Sequence, residues 1–165
     1  MDVSLFTVGS SLAISLILHE VGHILAARVC QVPVTQAGFG CGPKLAGIRI
    51  RNVDYDLRLV PLGAYIRMDV ARLQTRPMIQ QLLVLLAGIV VNLVLGILAW
   101  GSFFGTLNII LALTNLLPIY QQDGWKTGIV VFRHVLGRAN QRLEWSLTIV
   151  GAMIGLAIFV RAIFV

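Results

Sequence analysis

The sequence predicts a membrane-embedded, all-α bundle of about four transmembrane helices, with a small cytoplasmic-side β-hairpin or sheet between the first and second spans. Composition is the first reason. Of 165 residues, 58% are hydrophobic and 12% are charged, whereas a soluble domain covers its core with about 25% charged residues. The second is clustering: no Asp, Glu, Lys, Arg or His occurs in residues 78–122. The third is charge placement. Arg28, Lys44, Arg49, Arg51, Arg58, Arg67, Arg72 and Arg76 precede that tract, and Lys126, Arg133, Arg138 and Arg142 follow it.

Each element follows from these. A helix needs about 20 apolar residues to cross the hydrocarbon core, so residues 78–122 hold two passes and a turn. Trp100-Gly101-Ser102-Phe103-Phe104-Gly105-Thr106 supplies the turn, with glycines to reverse the chain and aromatics suited to the interface. The expected spans are residues 3–29, 78–100, 105–119 and 145–165 of one integral-membrane domain, 1–165. Pro77 suits the first position of the second span.

Basic loops stay on the cytoplasmic side. This puts loops 30–77 and 120–144 in the cytoplasm and both termini outside, in a multi-pass protein of the cell membrane. The net charge of +6 is then explained by topology, and nucleic acid is a poorer account of it, since the basic residues flank spans. The first apolar segment lacks a basic n-region and is too long for a signal peptide, so it is retained. Cys30 and Cys41 fall in a cytoplasmic loop, where thiols stay reduced, and their spacing suits structural residues rather than ligands.

Residues 31–77 are the one extended region unlike a membrane span. Ile48-Arg49-Ile50-Arg51 and Tyr55-Asp56-Leu57-Arg58-Leu59 alternate with period two, the mark of strands. Asn52-Val53-Asp54 suggests the hairpin turn, and Pro61-Leu62-Gly63 a second turn. Two readings stand for the hairpin: a cover that only packs, or an edge at Ile48, Ile50, Leu57 and Leu59 that receives an extended substrate by strand addition. Residues 125–144 read as a surface helix, with Ile129, Val130, Phe132 and Val135 facing lipid beside Arg133 and Arg138.

The chemistry is concentrated in His19-Glu20-Val21-Gly22-His23. On a helix, positions i and i+4 share one face, so both imidazoles can bind one zinc ion, and Glu20 lies close enough to take a proton from water activated there. Ionisable groups inside a bilayer cost several kcal/mol and persist mainly where they function or pair. A purely structural polar cluster is the alternative. A catalytic zinc takes three protein ligands and leaves a position open. Asp123 is the expected third: it ends the uncharged tract, Gly124 follows it, and Pro118 breaks the preceding helix. His134, beside Arg133, is expected at the interface without metal.

The motif His19-Glu20-Val21-Gly22-His23, followed by Asn115-Leu116-Leu117-Pro118 leading to Asp123-Gly124, resembles the site-2 protease family of intramembrane zinc metalloproteases. Gly38-Phe39-Gly40, Gly42-Pro43-Lys44, Pro61-Leu62-Gly63-Ala64-Tyr65, and Gly88 with Asn92 four residues on extend the similarity. The resemblance implies one Zn2+ per chain held by His19, His23 and Asp123, with Glu20 as general base. It places Asn92 near the scissile carbonyl as an oxyanion donor and has Asn115 hold the substrate strand. Interhelical hydrogen bonds are the plain alternative for both asparagines. Ile89 stands where the family often has proline, and Tyr120-Gln121-Gln122 where it carries prolines and a leucine. The turn near Ser102 is too short for a PDZ domain, so the reading is of a compact member without one.

The expected activity is hydrolysis of a peptide bond in or near a transmembrane segment of a membrane-protein substrate, within the lipid bilayer. A separate membrane protein is the candidate regulator, and no sequence feature sets the oligomeric state. The rivals are a non-catalytic pseudoprotease or metal-binding regulator, which leaves an intact Glu20 unexplained, and an ion transporter. Transport ranks last because the spans offer few further polar groups beyond Asn92, Asn108 and Asn115.

Overall fold

The computed structural model describes residues 4–137 and 141–164. Residues 3 and 165, the outer limits expected of the first and fourth spans, and Arg138 lie outside the described residues. The element order is α1 (Leu5–Val29), β1 (Val34–Ile50), β2 (Val53–Met68), α2 (Val70–Gln74), α3 (Met78–Leu98), α4 (Phe103–Leu116), α5 (Asp123–Val135) and α6 (Gln141–Phe164).

The helix ends follow local chemistry. Ser4 caps α1 by accepting from the Thr7 N–H at 3.1 Å, and Ser102 caps α4 by accepting from the Gly105 N–H at 3.0 Å, each satisfying a free first-turn donor. Pro77 is the N-cap of α3, one residue before the expected position. The turn between α3 and α4 is tighter than the sequence suggested: Gly101 takes φ +79, and residues 103–106 already belong to α4. α4 ends at Leu116 ahead of Pro118, since the residue before a proline is driven out of helical conformation.

α1 and α3 are long and apolar enough to cross a membrane. α4 has 14 residues, a rise of about 21 Å against a hydrocarbon core of about 30 Å. The apolar part of α6 is residues 144–158. α3 is the central helix and packs against α1, α4 and α5. Its contact with α4 is close because Gly96 and Gly105 face one another there: a Cβ on Gly96 would stand 3.2 Å from the Gly105 carbonyl oxygen. Ser15 on α1 accepts a hydrogen bond from Asn108 on α4 at 2.9 Å, so Asn108 takes an interhelical role. An apolar cluster of Ala26, Ala27, Cys30, Val32, Leu73, Val84 and Leu85 closes the end of the bundle beside the sheet.

α2 is an element that the alternation did not predict. Asp69 caps it, accepting from the Arg72 N–H at 2.9 Å, and Leu73 drops into the apolar cluster. α5 also differs from expectation. Val130 packs against that cluster rather than facing outward, whereas Val135 is exposed. Arg133 instead ties α5 to α6, donating to both Glu144 oxygens at 2.7 Å.

β1 and β2 form one two-stranded antiparallel sheet. The turn falls at Arg51 and Asn52, with φ of 48 and 67, so Val53 and Asp54 are already strand. Two consecutive positive-φ residues are the geometry that joins twisted strands most tightly. Pro61-Leu62-Gly63 sits where β2 doubles back, as the sequence suggested: residues 54–57 run parallel to 36–39 and residues 64–67 antiparallel to them, so the two halves of β2 run in opposite directions. Gly63 takes φ +88 within continuous β2, and the register shifts there, from Cys41 opposite Val60 to Phe39 opposite Ala64. The strands are long enough to fold over. Residues 36–39 lie opposite 67–64 and also alongside 54–57, while Ile48–Ile50 faces Tyr55–Val53.

Candidate metal centre

α1 carries His19 and His23 one turn apart on its buried face, with only 5% and 4% exposure. The chain then returns through α3 and α4, breaks after Leu116, and starts α5 with Asp123, which is 6% exposed. Asp123 Oδ2 lies 3.0 Å from Nε2 of His19 and 3.0 Å from Nε2 of His23, and the two nitrogens are 3.2 Å apart. The sequence placed these three side chains together, and the fold brings them into one cluster from residues 104 and 100 positions apart.

The donor set fits a zinc ion. The Val84 carbonyl 2.7 Å from His23 Nδ1 can only accept, so Nδ1 carries the proton and, in the neutral ring, Nε2 presents a lone pair. This is the outer contact that orients metal-binding imidazoles. With both Nε2 atoms unprotonated, these three atoms at 3.0–3.2 Å repel one another unless a cation lies among them. With bonds of about 2.0–2.1 Å, the edge of a zinc tetrahedron is about 3.3–3.4 Å, close to the spacing seen. Lys126 Nζ lies 2.9 Å from Asp123 Oδ1, leaving Oδ2 to the imidazoles.

Glycines set how closely α3 can support this cluster. A Cβ on Gly88 would stand 2.4 Å from His23 Nε2 and 2.6 Å from the His19 ring. On the opposite helix, a Cβ on Gly22 would stand 2.9 Å from the Ala87 carbonyl oxygen. A Cβ on Gly124 would stand 2.1 Å from the Leu116 carbonyl oxygen, so α5 begins hard against the end of α4. Sequence reasoning missed the Val84 carbonyl, which no side chain signals. It also missed Lys126, which its i+3 spacing from Asp123 could have flagged.

Glu20, next to His19, is half-buried and borders a cavity of about 460 Å3 between α1 and the sheet. Ile48 and Leu57 line that cavity, whereas Ile50 and Leu59 are exposed beyond it. Asn92, one turn along α3 from Gly88, is fully buried, and neither amide atom meets a partner among the described residues. Asn115 stands apart from the cluster in its bonding: its amide donates to the Leu111 carbonyl of its own helix at 3.0 Å. His134 lines a separate surface cleft with Arg76 and Gln81. Both cysteines are free.

Residues 9–105 match the family model described as Peptidase family M50. The chain belongs to this family. Among curated proteins it is similar to one described as "Putative zinc metalloprotease" in Clostridium perfringens, 32% identical over 91 residues, covering 50% of this chain and 27% of that protein. A protein described in the same words in Synechocystis is 33% identical over 95 residues, covering 50% and 26%. A chloroplastic membrane metalloprotease of Arabidopsis thaliana is 33% identical over 91 residues, covering 48% and 20%. The chain thus spans about a quarter of the length of the relatives it matches. The M50 match includes both histidines and Glu20 but stops before Asp123, so the third position of the cluster rests on geometry.

Proposed function

We propose that this M50 chain is a zinc endopeptidase that hydrolyses a peptide bond in or near a transmembrane segment of a membrane-protein substrate. The observation that carries the reading is the convergence of His19, His23 and Asp123 within 3.2 Å of one another, with Glu20 on the same helix opening onto a cavity walled by the sheet. In this reading the protein is multi-pass in the cell membrane. α4 and α6 add to the two spans α1 and α3, both basic loops are cytoplasmic, and the termini lie outside.

His19, His23 and Asp123 would hold the zinc ion. When bound, it polarises a carbonyl oxygen and lowers the pKa of water to about 7. The chain's own residues do the rest. The substrate segment unwinds beside the cavity, because helical carbonyls are hydrogen-bonded and shielded, and its extended stretch lies along the sheet at Ile48 and Leu57, with Asn115 helping to hold it. Glu20 accepts a proton from the attacking water as its oxygen bonds to the carbonyl carbon. The Asn92 amide donates to the oxygen on which charge develops. Glu20 then delivers the proton to the amine nitrogen as the C–N bond breaks. A separate membrane protein is proposed as regulator.

The test pairs metal content with turnover on detergent-purified protein. Near-stoichiometric zinc is expected in the unmodified chain and in Glu20→Gln, and loss of zinc in His23→Ala and Asp123→Ala. Cleavage of a model transmembrane substrate should fall by at least about 100-fold in Glu20→Gln, the scale of a lost general base. Retained cleavage in Glu20→Gln would sink the assigned base. A folded, zinc-free protein without turnover would favour the non-catalytic reading.

A further inference from the structure

Peptide hydrolysis needs a seat for the residues beside the cut bond as well as a metal and a base. The cavity of about 460 Å3 next to Glu20 falls within the roughly 300–1,000 Å3 typical of ligand clefts. Two elements wall it. α1 contributes Ile17, Val21 and Ile24, positions i, i+4 and i+7 on one stripe, with Glu20 on the same side at i+3. The sheet contributes Phe39, Ile48 and Leu57. Ile48 is 63% exposed and Leu57 48%, so these two apolar side chains are left to be covered by something.

The inner end of the cavity is fixed. Tyr65 forms part of it, and Arg58 holds Tyr65 from two directions: Nε donates to Oη at 3.0 Å, and the guanidinium lies 5.3 Å over the ring. Behind the ring is Gly38, where a Cβ would stand 2.5 Å from it. Asp56 is also in the wall, and its carboxylate is engaged by Lys44, Gln36 and Tyr65. The one ionised group at this end is thus compensated, and nothing there calls for a charged visitor. Ala46 and Ala64, two of the three alanines in the wall beside Ala37, leave room that a larger side chain would fill.

We infer that this cavity is the specificity pocket of the proposed protease, and that it takes one large apolar side chain, such as leucine, methionine or phenylalanine, flanking the scissile bond. The inference rests on the protease reading and adds to it the residue class selected. The occupant must be apolar because the lining is, and must belong to the substrate because the pocket opens beside Glu20.

The test uses the full chain with zinc, reconstituted in liposomes with a single-pass substrate whose cleaved bond has been mapped. Each flanking residue is set in turn to Leu or Ala. At one of these positions the unmodified chain should favour Leu by at least about ten-fold, at the low end of the 10–200-fold discrimination of hydrophobic pockets. Ala46→Ile and Ala64→Ile narrow the cavity with a residue that strands favour. Each should bring that preference, read as the ratio of Leu to Ala cleavage, below about three-fold. No preference at any flanking position, or a preference that survives both substitutions, overturns the pocket and leaves the protease standing. If the unmodified chain hydrolyses neither substrate, the protease reading fails, and binding decides the pocket. The Glu20→Gln chain should bind the Leu peptide more tightly than the Ala peptide, and equal affinities would overturn the inference.

Discussion

At Gly88 an added methyl group would lie 2.4 Å from a histidine nitrogen; at Gly63, in the sheet, it would meet nothing within 4 Å. The two positions typify their surroundings. Around His19, His23 and Asp123, side chains are buried and fixed by partners on α3, α4 and α5, and glycines admit neighbouring backbone to contact distance. In the sheet, Ile48, Ile50, Leu57 and Leu59 are about half exposed or more, and the order comes from strand pairing and one node of charge at Asp56. A centre whose atoms must hold position within tenths of an ångström is built from closed helix contacts. In the proposed reading, the sheet's uncovered apolar side chains are what an extended substrate segment lies against.

The comparison breaks first at Gly88→Ala. The new methyl group displaces both imidazoles, and zinc affinity should fall by about 100-fold, the upper range for altered support of metal ligands, with cleavage falling alongside. Unchanged zinc content would mean that the helical half is less tightly constrained than its contacts imply. A smaller effect is expected at Asn108→Leu, which removes the bond from α4 to Ser15. Stability in detergent should drop by about 0.6 kcal/mol and by no more than about 1.7, as for interhelical hydrogen bonds in membrane bundles, with zinc stoichiometry retained.

The smallest effect belongs to the sheet and to acid. The Lys44 ammonium beside Asp56 holds its carboxyl below the usual carboxylate range, against the opposing effect of burial, with Gln36 and Tyr65 adding hydrogen bonds. A depressed folded pKa contributes stability that is complete above the unfolded value of about 3.9 and is lost as pH falls through the folded value. Amide exchange in the sheet should therefore be insensitive to this group between about pH 5 and 8, once corrected for intrinsic rates, and should loosen only below about pH 4. Asp56→Asn should remove that acid step. A step near neutral pH that survives in Asp56→Asn would show that another group governs the sheet.

Much of the helical half was legible because its signals are local. The i, i+4 histidines, the proline break at Pro118 and the charge of Asp123 after an uncharged tract each carry their chemistry in a few residues. The alternation at residues 48–59 likewise marked strands. What escaped depends on packing across the chain. Periodicity cannot show that residues 36–39 pair on both sides, that Leu73 turns a short helix into the apolar cluster, or that a backbone carbonyl at Val84 orients His23. Asn115 illustrates the converse. The resemblance gave it a role towards substrate, yet its amide bonds to its own helix, leaving its side-chain oxygen for that role.

The separation of the clustered side chains along the chain has a thermodynamic consequence. His23 and Asp123 are 100 residues apart, and an ion gripped by both closes a loop containing both strands and three helices. Closing a loop of about 100 residues removes roughly 4.7 kcal/mol of disorder from the unfolded chain in the chain-entropy description of covalent cross-links. A bound ion is thereby a clasp as well as a reagent, and α5, which reaches α1 through Asp123, is the segment it fastens. Chelation would slacken that fastening as well as stop the chemistry.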